Sequence, residues 1–543
     1  MNRAKTASVV TAALATLLSV RTIQIDAAPP PADADVAIVH VLNRIGFGPR
    51  PGDVDRVQQL GLQRYIDQQL HPERIADTAL TARLSGLRTL EMSSREIAEQ
   101  YELPALEARR ERKQEATNTT NPDMPPAAKR MNVPRQQANQ PLADMSQQKV
   151  LRAVYGERQL EEVLVDFWFN HFNVDARKGP VRFLLTEYER DTIRPHVLGR
   201  FRDLLEATAT SPAMLFYLDN WMSADPNGPH MDTPRQLRGQ GRAQGRLGRG
   251  RQQRRQRAPQ LRPDMRPQRK NMPKGLNENY GRELLELHTL GVDGGYTQKD
   301  VTDVARAFTG WSIANPRLGG GFRFVPALHD EGEKMILGHR IKAGGGERDG
   351  KQVLDILATH PATARFISTK LARRFISDTP PPALIDRAAA KFLETSGDIR
   401  AVMTLLLTSP EFRSPEFYRA KVKTPFDFIV SAIRVTGAEV ADARPLVRSL
   451  QQLGMPLYQC QPPTGYKDTV DAWVNTGALV NRMNAALALA SGTVPGVRIV
   501  NAPAPEALVG GHLSDVTRST IAKASTAAQA MALALGSPEF QQR

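Results

Sequence analysis

Three stretches of the chain carry side chains that could do acid–base or metal chemistry: FWFNHFNV at 167–174, ENYGRELLELHTLG at 278–291 and ALHDEGEKMILG at 327–338. They supply His171, then Glu283, Glu286 and His288, then His329 and Asp330. Imidazole and carboxylate groups are the ligands that zinc and similar divalent cations accept, and a spare carboxylate beside a metal can activate water. On a regular helix Glu283 and Glu286 lie three residues apart and share a face, with Asn279 four residues before Glu283. His288, five residues after Glu283, points elsewhere unless the helix ends there, and Gly291 marks such an end. This pattern makes His171, Glu283, His288 and His329 candidate metal ligands, and Glu286 and Asp330 candidate catalytic groups. The spacing E-x-x-E-x-H matches neither the Glu-x-x-His of di-iron bundles nor the H-E-x-x-H of zincins. A purely structural role stays open as well, with Arg282 pairing with Glu278 or Glu286 along the helix. Convergence of the three stretches on one metal shell is an expectation about the fold.

The elements that must position these groups read as helices almost throughout. Apolar residues recur at three- and four-residue spacing over 35–46, 53–70, 147–172, 181–188, 198–208, 212–218, 278–290, 299–309, 349–359 and 362–377. The pattern continues over 382–395, 399–407, 423–436, 445–453, 476–490 and 518–535. Asp53 is expected to cap the second of these helices, Thr297 with Asp300 to form a capping box, and Ser211 to act as a helix cap. LLLTSPEF at 405–412 and LALGSPEF at 533–540 repeat one helix-start signal, with Ser, Pro and Glu in order. Only 322–326 and 335–337 read as extended, forming a small hairpin around His329. The expected fold is mostly α, a multi-helical globular core with a β-hairpin-like element and a disordered basic insert. Along the chain this gives a signal peptide at 1–27, N-terminal helices at 28–103 and a flexible linker at 104–146. A first part of the core at 147–230, the insert at 231–274 and a second part at 275–494 follow. A loop at 495–517 and a C-terminal helix and tail at 518–543 complete it.

Charge narrows the functional classes. The chain carries 72 Lys and Arg against 57 Asp and Glu, a net +15, which invites a nucleic-acid reading. Residues 232–274 alone hold 14 Lys and Arg against 2 Asp, so the excess is local and the remaining chain is nearly neutral. That stretch is rich in Arg, Gln, Gly and Pro and has no aromatic residue, so it lacks apolar surface to order itself and any platform for stacking bases. It reads as a solvated spacer. A polyanion contact through the Arg-rich insert is the alternative, with anionic lipid or polysaccharide favoured over nucleic acid. One cysteine, Cys460, excludes an intrachain disulfide and a cysteine-based zinc site. Arg3 and Lys5 followed by the apolar run 6–20 read as an export signal cleaved after Ala27, or as an uncleaved anchor. No later run approaches the roughly 20 apolar residues that a membrane span needs. The expected location is periplasmic or extracellular.

Taken together these segments resemble the bacterial family called domain of unknown function 1800. The resemblance rests on HVLNRIGFGPRPGDV, FWFNHFNV, YERDTIRPHVLGRF, SPAMLFYLDN, NENYGRELLELHTLGVDGGYTQKDV, ARAFTGW and ALHDEGEKMILG. It continues through VLDILATHPATARFISTKLARRF, the LGMPLYQCQPPTGYKDTVDAW stretch ending at Trp473 and Asn475, and VNTGALVNRMN. These cover nearly all of the chain in order, and the basic insert falls between LDN and NENY as a decoration. The resemblance implies an exported bacterial protein, often encoded beside a sulfatase-like exported partner. It implies no activity, cofactor or catalytic residue.

Two functional readings follow. In the first the protein is a metal-dependent, hydrolase-like enzyme with a His/Glu/Asp site and a divalent metal as cofactor. In the second it is a non-catalytic envelope protein that binds a secreted partner or an anionic polysaccharide.

Overall fold

The computed structural model describes residues 34–118, 137–228, 275–511 and 513–543. The expected signal peptide and the basic insert lie outside the described residues, as does the middle of the expected linker. The fold is mostly α, with three small two-stranded antiparallel sheets. One continuous apolar core runs from Ile38 to Phe540. In the first helix, Ala34–Ile45, the buried Ile38, Val41, Leu42 and Ile45 recur at the i, i+3, i+4, i+7 spacing that faces a core.

Several boundaries differ from the sequence pattern for local reasons. Gly52, at φ 83°, occupies the cap position before the Asp53–Leu60 helix, and Asp53 is its first residue. The Asp53 carboxylate instead accepts from the Arg50 backbone N–H at 2.9 Å and pairs with the buried Arg434 at 3.2 Å. The range expected to be a flexible linker, partly helical at its start, does begin with a helix, Leu103–Asn118, but ends inside another, Gln140–Tyr155. The polar start of the second hides its helical character because Asp144 is buried and satisfied, accepting from Thr89 Oγ1 at 2.8 Å and Gln140 at 2.6 Å. Gly156 separates Gln140–Tyr155 from Gln159–His171, where the pattern runs on. The late helix is likewise two, Asp515–Ile521 and Ala527–Gly536, the second capped by Thr526.

The extended pieces do not pair with each other. Phe322–Phe324 pairs with Trp311–Ile313, and Lys334–Ile336 pairs with His339–Ile341, so His329 lies between two separate hairpins. A third pair joins Glu439–Val440 to Val497–Arg498, the second of which lies inside the range expected to be loop. The Thr297–Asp300 capping box forms, and the two Ser-Pro-Glu-Phe copies make the same contact. Ser409 and Ser537 each accept from the backbone N–H of the phenylalanine three residues on. Ser211 precedes the Pro212–Tyr217 helix at the cap position without a side-chain cap bond. Among the described residues no helix is long and apolar enough to cross a membrane.

Candidate functional site: a cleft over Lys370

His171 ends the Gln159–His171 helix and is 2% exposed, walled by the rings of Trp168 and Phe172. Its Nε2 lies 3.1 Å from the backbone oxygen of His288. A carbonyl only accepts, so Nε2 carries the ring proton and Nδ1 is left as an acceptor. The amine facing it is Lys370 Nζ, at 2.8 Å. Lys370 comes from the helix Pro361–Phe375, which buries Ile367 and Leu371 in the core.

The segment that carries His288 is not an ordinary helix turn. The helix Glu278–Glu283 opens into a π-helical stretch, Leu284–Thr289, with Thr289 Oγ1 donating to the Leu284 oxygen at 2.7 Å. A π-turn holds one more residue than an α-turn, and such turns recur at functional sites. Here the widened segment carries the His288 carbonyl that meets His171, with the two rings 6.2 Å apart.

Above Lys370 opens a cleft of about 340 Å³. Its walls include Phe167, Asn170, Arg373, Tyr466 and Asp468. The 464–469 side is fastened to the His171 helix by a reciprocal pair: Asn170 Nδ2 donates to the Tyr466 oxygen and Tyr466 N–H donates to Asn170 Oδ1, both at 2.6 Å. Gly465 permits this approach, since a Cβ there would fall 2.2 Å from the Asn170 oxygen at φ 70°. Asp468 divides its carboxylate. Oδ1 faces Lys421 at 3.4 Å, Arg374 at 3.7 Å and Arg543 at 3.9 Å, while Oδ2 is buried without a hydrogen-bond partner.

Electrostatics follow from this placement. Burial, helped by the Arg373 charge, lowers the Lys370 amine to about 8, with Asp468 acting in the opposite sense. Burial and then the Lys370 charge hold His171 well below the usual imidazole range, and the same causes bring His288 to about 3. Among the described residues no carboxylate lies within ion-pair distance of Lys370 Nζ, whose hydrogen bond goes to a neutral ring. An amine near neutrality can gain or lose a proton at physiological pH, and Arg373, three residues on, adds a fixed positive charge for an anion.

The remaining expected site residues lie apart from this cleft. Glu283 is half-buried, its carboxyl raised by burial and by Glu286. Glu286 accepts from the Tyr296 hydroxyl at 3.0 Å, and Arg282 donates to Gln298. His329 is fully buried between the Thr309 oxygen at 2.8 Å and Asp349 Oδ2 at 3.2 Å. Asp330 forms a two-pronged ion pair with Arg306, at 2.7 and 3.0 Å. Among the described residues no group of three or more His, Cys, Asp or Glu side chains is placed to hold a metal ion, so the six do not share a shell. Lys370, Arg373 and Asp468 were not singled out in the sequence. Lys370 sits in ISTKLARR, where three cations in five residues resemble any solvated helix face.

The family model for proteins of unknown function DUF1800 matches residues 40–542, and the chain belongs to that family. No curated protein and no solved structure matches it.

Proposed function

We propose that this DUF1800 protein is an enzyme that moves a proton to or from a small anionic substrate held over Lys370. The observation that carries the proposal is the Lys370 amine, opening on a cleft, with a neutral imidazole acceptor and, among the described residues, no carboxylate partner. An ammonium placed only to stabilise a fold is ordinarily buried with a counter-ion. In this reading the substrate's negative charge completes the set, with Arg373 sharing it. His171 serves as an acceptor for the amine rather than as a metal ligand, because both of its ring nitrogens already have partners.

Pyridoxal phosphate, an anionic aldehyde, is a suitable probe. The neutral amine adds to its carbonyl, water leaves, and borohydride reduces the resulting imine to a stable adduct that peptide mapping locates. Lys370 is expected to be the first lysine modified near pH 8, with slower capture in Arg373→Gln. Modification spread over the exposed lysines, with Lys370 unreactive, would rule the proposal out.

We also place the site of action outside the cytoplasm, on the basic and then apolar order of residues 1–20. Sequencing the mature N-terminus of periplasmic material tests this, with Ala28 expected first. Recovery in the cytosol with residues 1–27 retained would count against it.

A further inference from the structure

A second opening, sharing no lining residue with the first, is larger and differently built. It is a groove of about 1310 Å³ bounded by the helix Leu103–Asn118, the start of the Val181–Glu187 helix, and the turns at 219–222 and 315–318. Four guanidinium groups line it: Arg109, Arg110, Arg182 and Arg317. Two carboxylates join them. Asp219 is paired with Lys178 at 2.7 Å. Glu102 is 8% exposed, and its Oε2 is buried without a hydrogen-bond partner.

The groove also has an aromatic wall. Phe216 and Trp221 stack face to face, with centroids 5.5 Å apart and planes 9° from parallel. Gly179 leaves room for this, because a Cβ there would lie 2.6 Å from the Phe216 ring. The Trp221 indole N–H has no acceptor. Met222 and Leu318, each more than a third exposed, extend the apolar strip.

We propose that this groove binds an acidic, uronate-type polysaccharide. Arginine forks match carboxylate geometry, and four of them in one groove against two acids leave a positive surplus. A flat aromatic pair offers a face on which the apolar side of a sugar ring can lie. The carboxylates decide between polymers. Glu102, and Asp219 beyond its pairing with Lys178, favour a ligand that brings hydrogen-bond donors along with its anions. Sugar hydroxyls provide them at every residue, whereas a phosphate backbone presents acceptors. Burial raises the Glu102 carboxyl to about 7, opposed by Arg182 and Arg317, so near neutrality it can donate as well as accept.

Calorimetric titration of the full chain with polygalacturonate tests the proposal, with dextran as the neutral polymer and single-stranded poly(dT) as the other polyanion. Two variants discriminate: Trp221→Ala, which leaves net charge unchanged, and Arg109→Gln with Arg317→Gln, both exposed positions. Each keeps residues 231–274 intact, so attraction through that Arg-rich run is common to all three proteins. Expected is tighter binding of polygalacturonate than of either control, weakened about tenfold by each variant. Equal affinity of both variants and the parent would overturn the proposal. So would poly(dT) being the ligand whose binding depends on Trp221. If Trp221→Ala does not fold, the exposed arginine pair decides the question alone.

Discussion

Raising the pH past 8 should uncover one lysine well before the others. With an amine lowered to about 8, Lys370 is half neutral at pH 8. An ordinary lysine, near 10.4, is then only about 0.4% neutral, so the reactive fraction differs by roughly a hundredfold. Competitive labelling with trace acetic anhydride, read peptide by peptide against pH, measures this midpoint directly. Lys370→Met assigns the signal by removing it. The same shift has a stability consequence of known sign. The folded amine titrates below its unfolded value of 10.5, so between about pH 8 and 10.5 the unfolded chain binds the extra proton and the folded state gains stability as pH rises. Two and a half pH units correspond to at most about 3.5 kcal/mol, and water at the cleft mouth reduces it. Lys370→Met should flatten that rise. A labelling midpoint above about 10 would refute the account of the site, because it would mean that the ammonium is as comfortable there as in water.

Other outcomes follow from the same contacts. Asp427→Ala should destabilise by about 3–5 kcal/mol, read as a drop in the urea midpoint, since Arg374 and Arg543 would lose a buried carboxylate and Thr424 its capping partner. Burial works against the Asp427 charge, yet Arg374 and Arg543 hold its carboxyl well below the ordinary range. Its contribution is therefore full above about pH 4 and is lost as acid protonates the folded form, a loss that acid titration of the variant should lack. Gly281→Ala should cost about 1–3 kcal/mol in thermal or chemical denaturation, because its Cβ would lie 2.8 Å from the Val301 oxygen where two helices touch. Asp468→Asn should lower the Lys370 labelling midpoint further, because Asp468 is the charge that opposes the shift. An upward movement would contradict the assignment.

The helical fold was legible because its signals are local. Apolar spacing marks the core face of helices such as Ile399–Thr408, and Thr297 with Asp300 announces its own capping box. Boundaries failed where tertiary partners outweigh local rules, as at Asp53, which Arg434 claims from nearly four hundred residues away. The candidate site was half legible. His171 stands out as an imidazole among aromatics, and His288 lies on a recognisable polar helix. Their meeting depends on a π-helical turn that no spacing rule anticipates. Lys370 depends on something a sequence does not display, namely which cations the carboxylates leave unpaired. His329 and Asp330 show the converse, since good ligand chemistry on a loop was used to tie that loop to Asp349 and Arg306.

Two lysines, one fully buried and one partly exposed at the cleft, make that last distinction physical. Lys334 is 1% exposed, and its ammonium meets Asp349 at 2.7 Å and the Asp330 and Gly332 oxygens at 2.5 and 2.8 Å. Every donor has an acceptor and the charge has a counter-charge, which is what a structural ammonium requires. Lys370 has one acceptor, an uncharged ring. A carboxylate is close at hand in Asp468, but Lys421, Arg374 and Arg543 occupy the side of it that faces the core. The helix Pro361–Phe375 thus sorts its cations: Arg374 turns inward to Asp427 and Asp468, and Lys370 turns to the cleft with no ion-pair partner among the described residues. Filling the cleft with an anion would complete at Lys370 what Asp349 already completes at Lys334. That asymmetry between a lysine with a counter-charge and one with no ion-pair partner among the described residues is the physical argument that the cleft, and not the His329 loop, is where a ligand belongs.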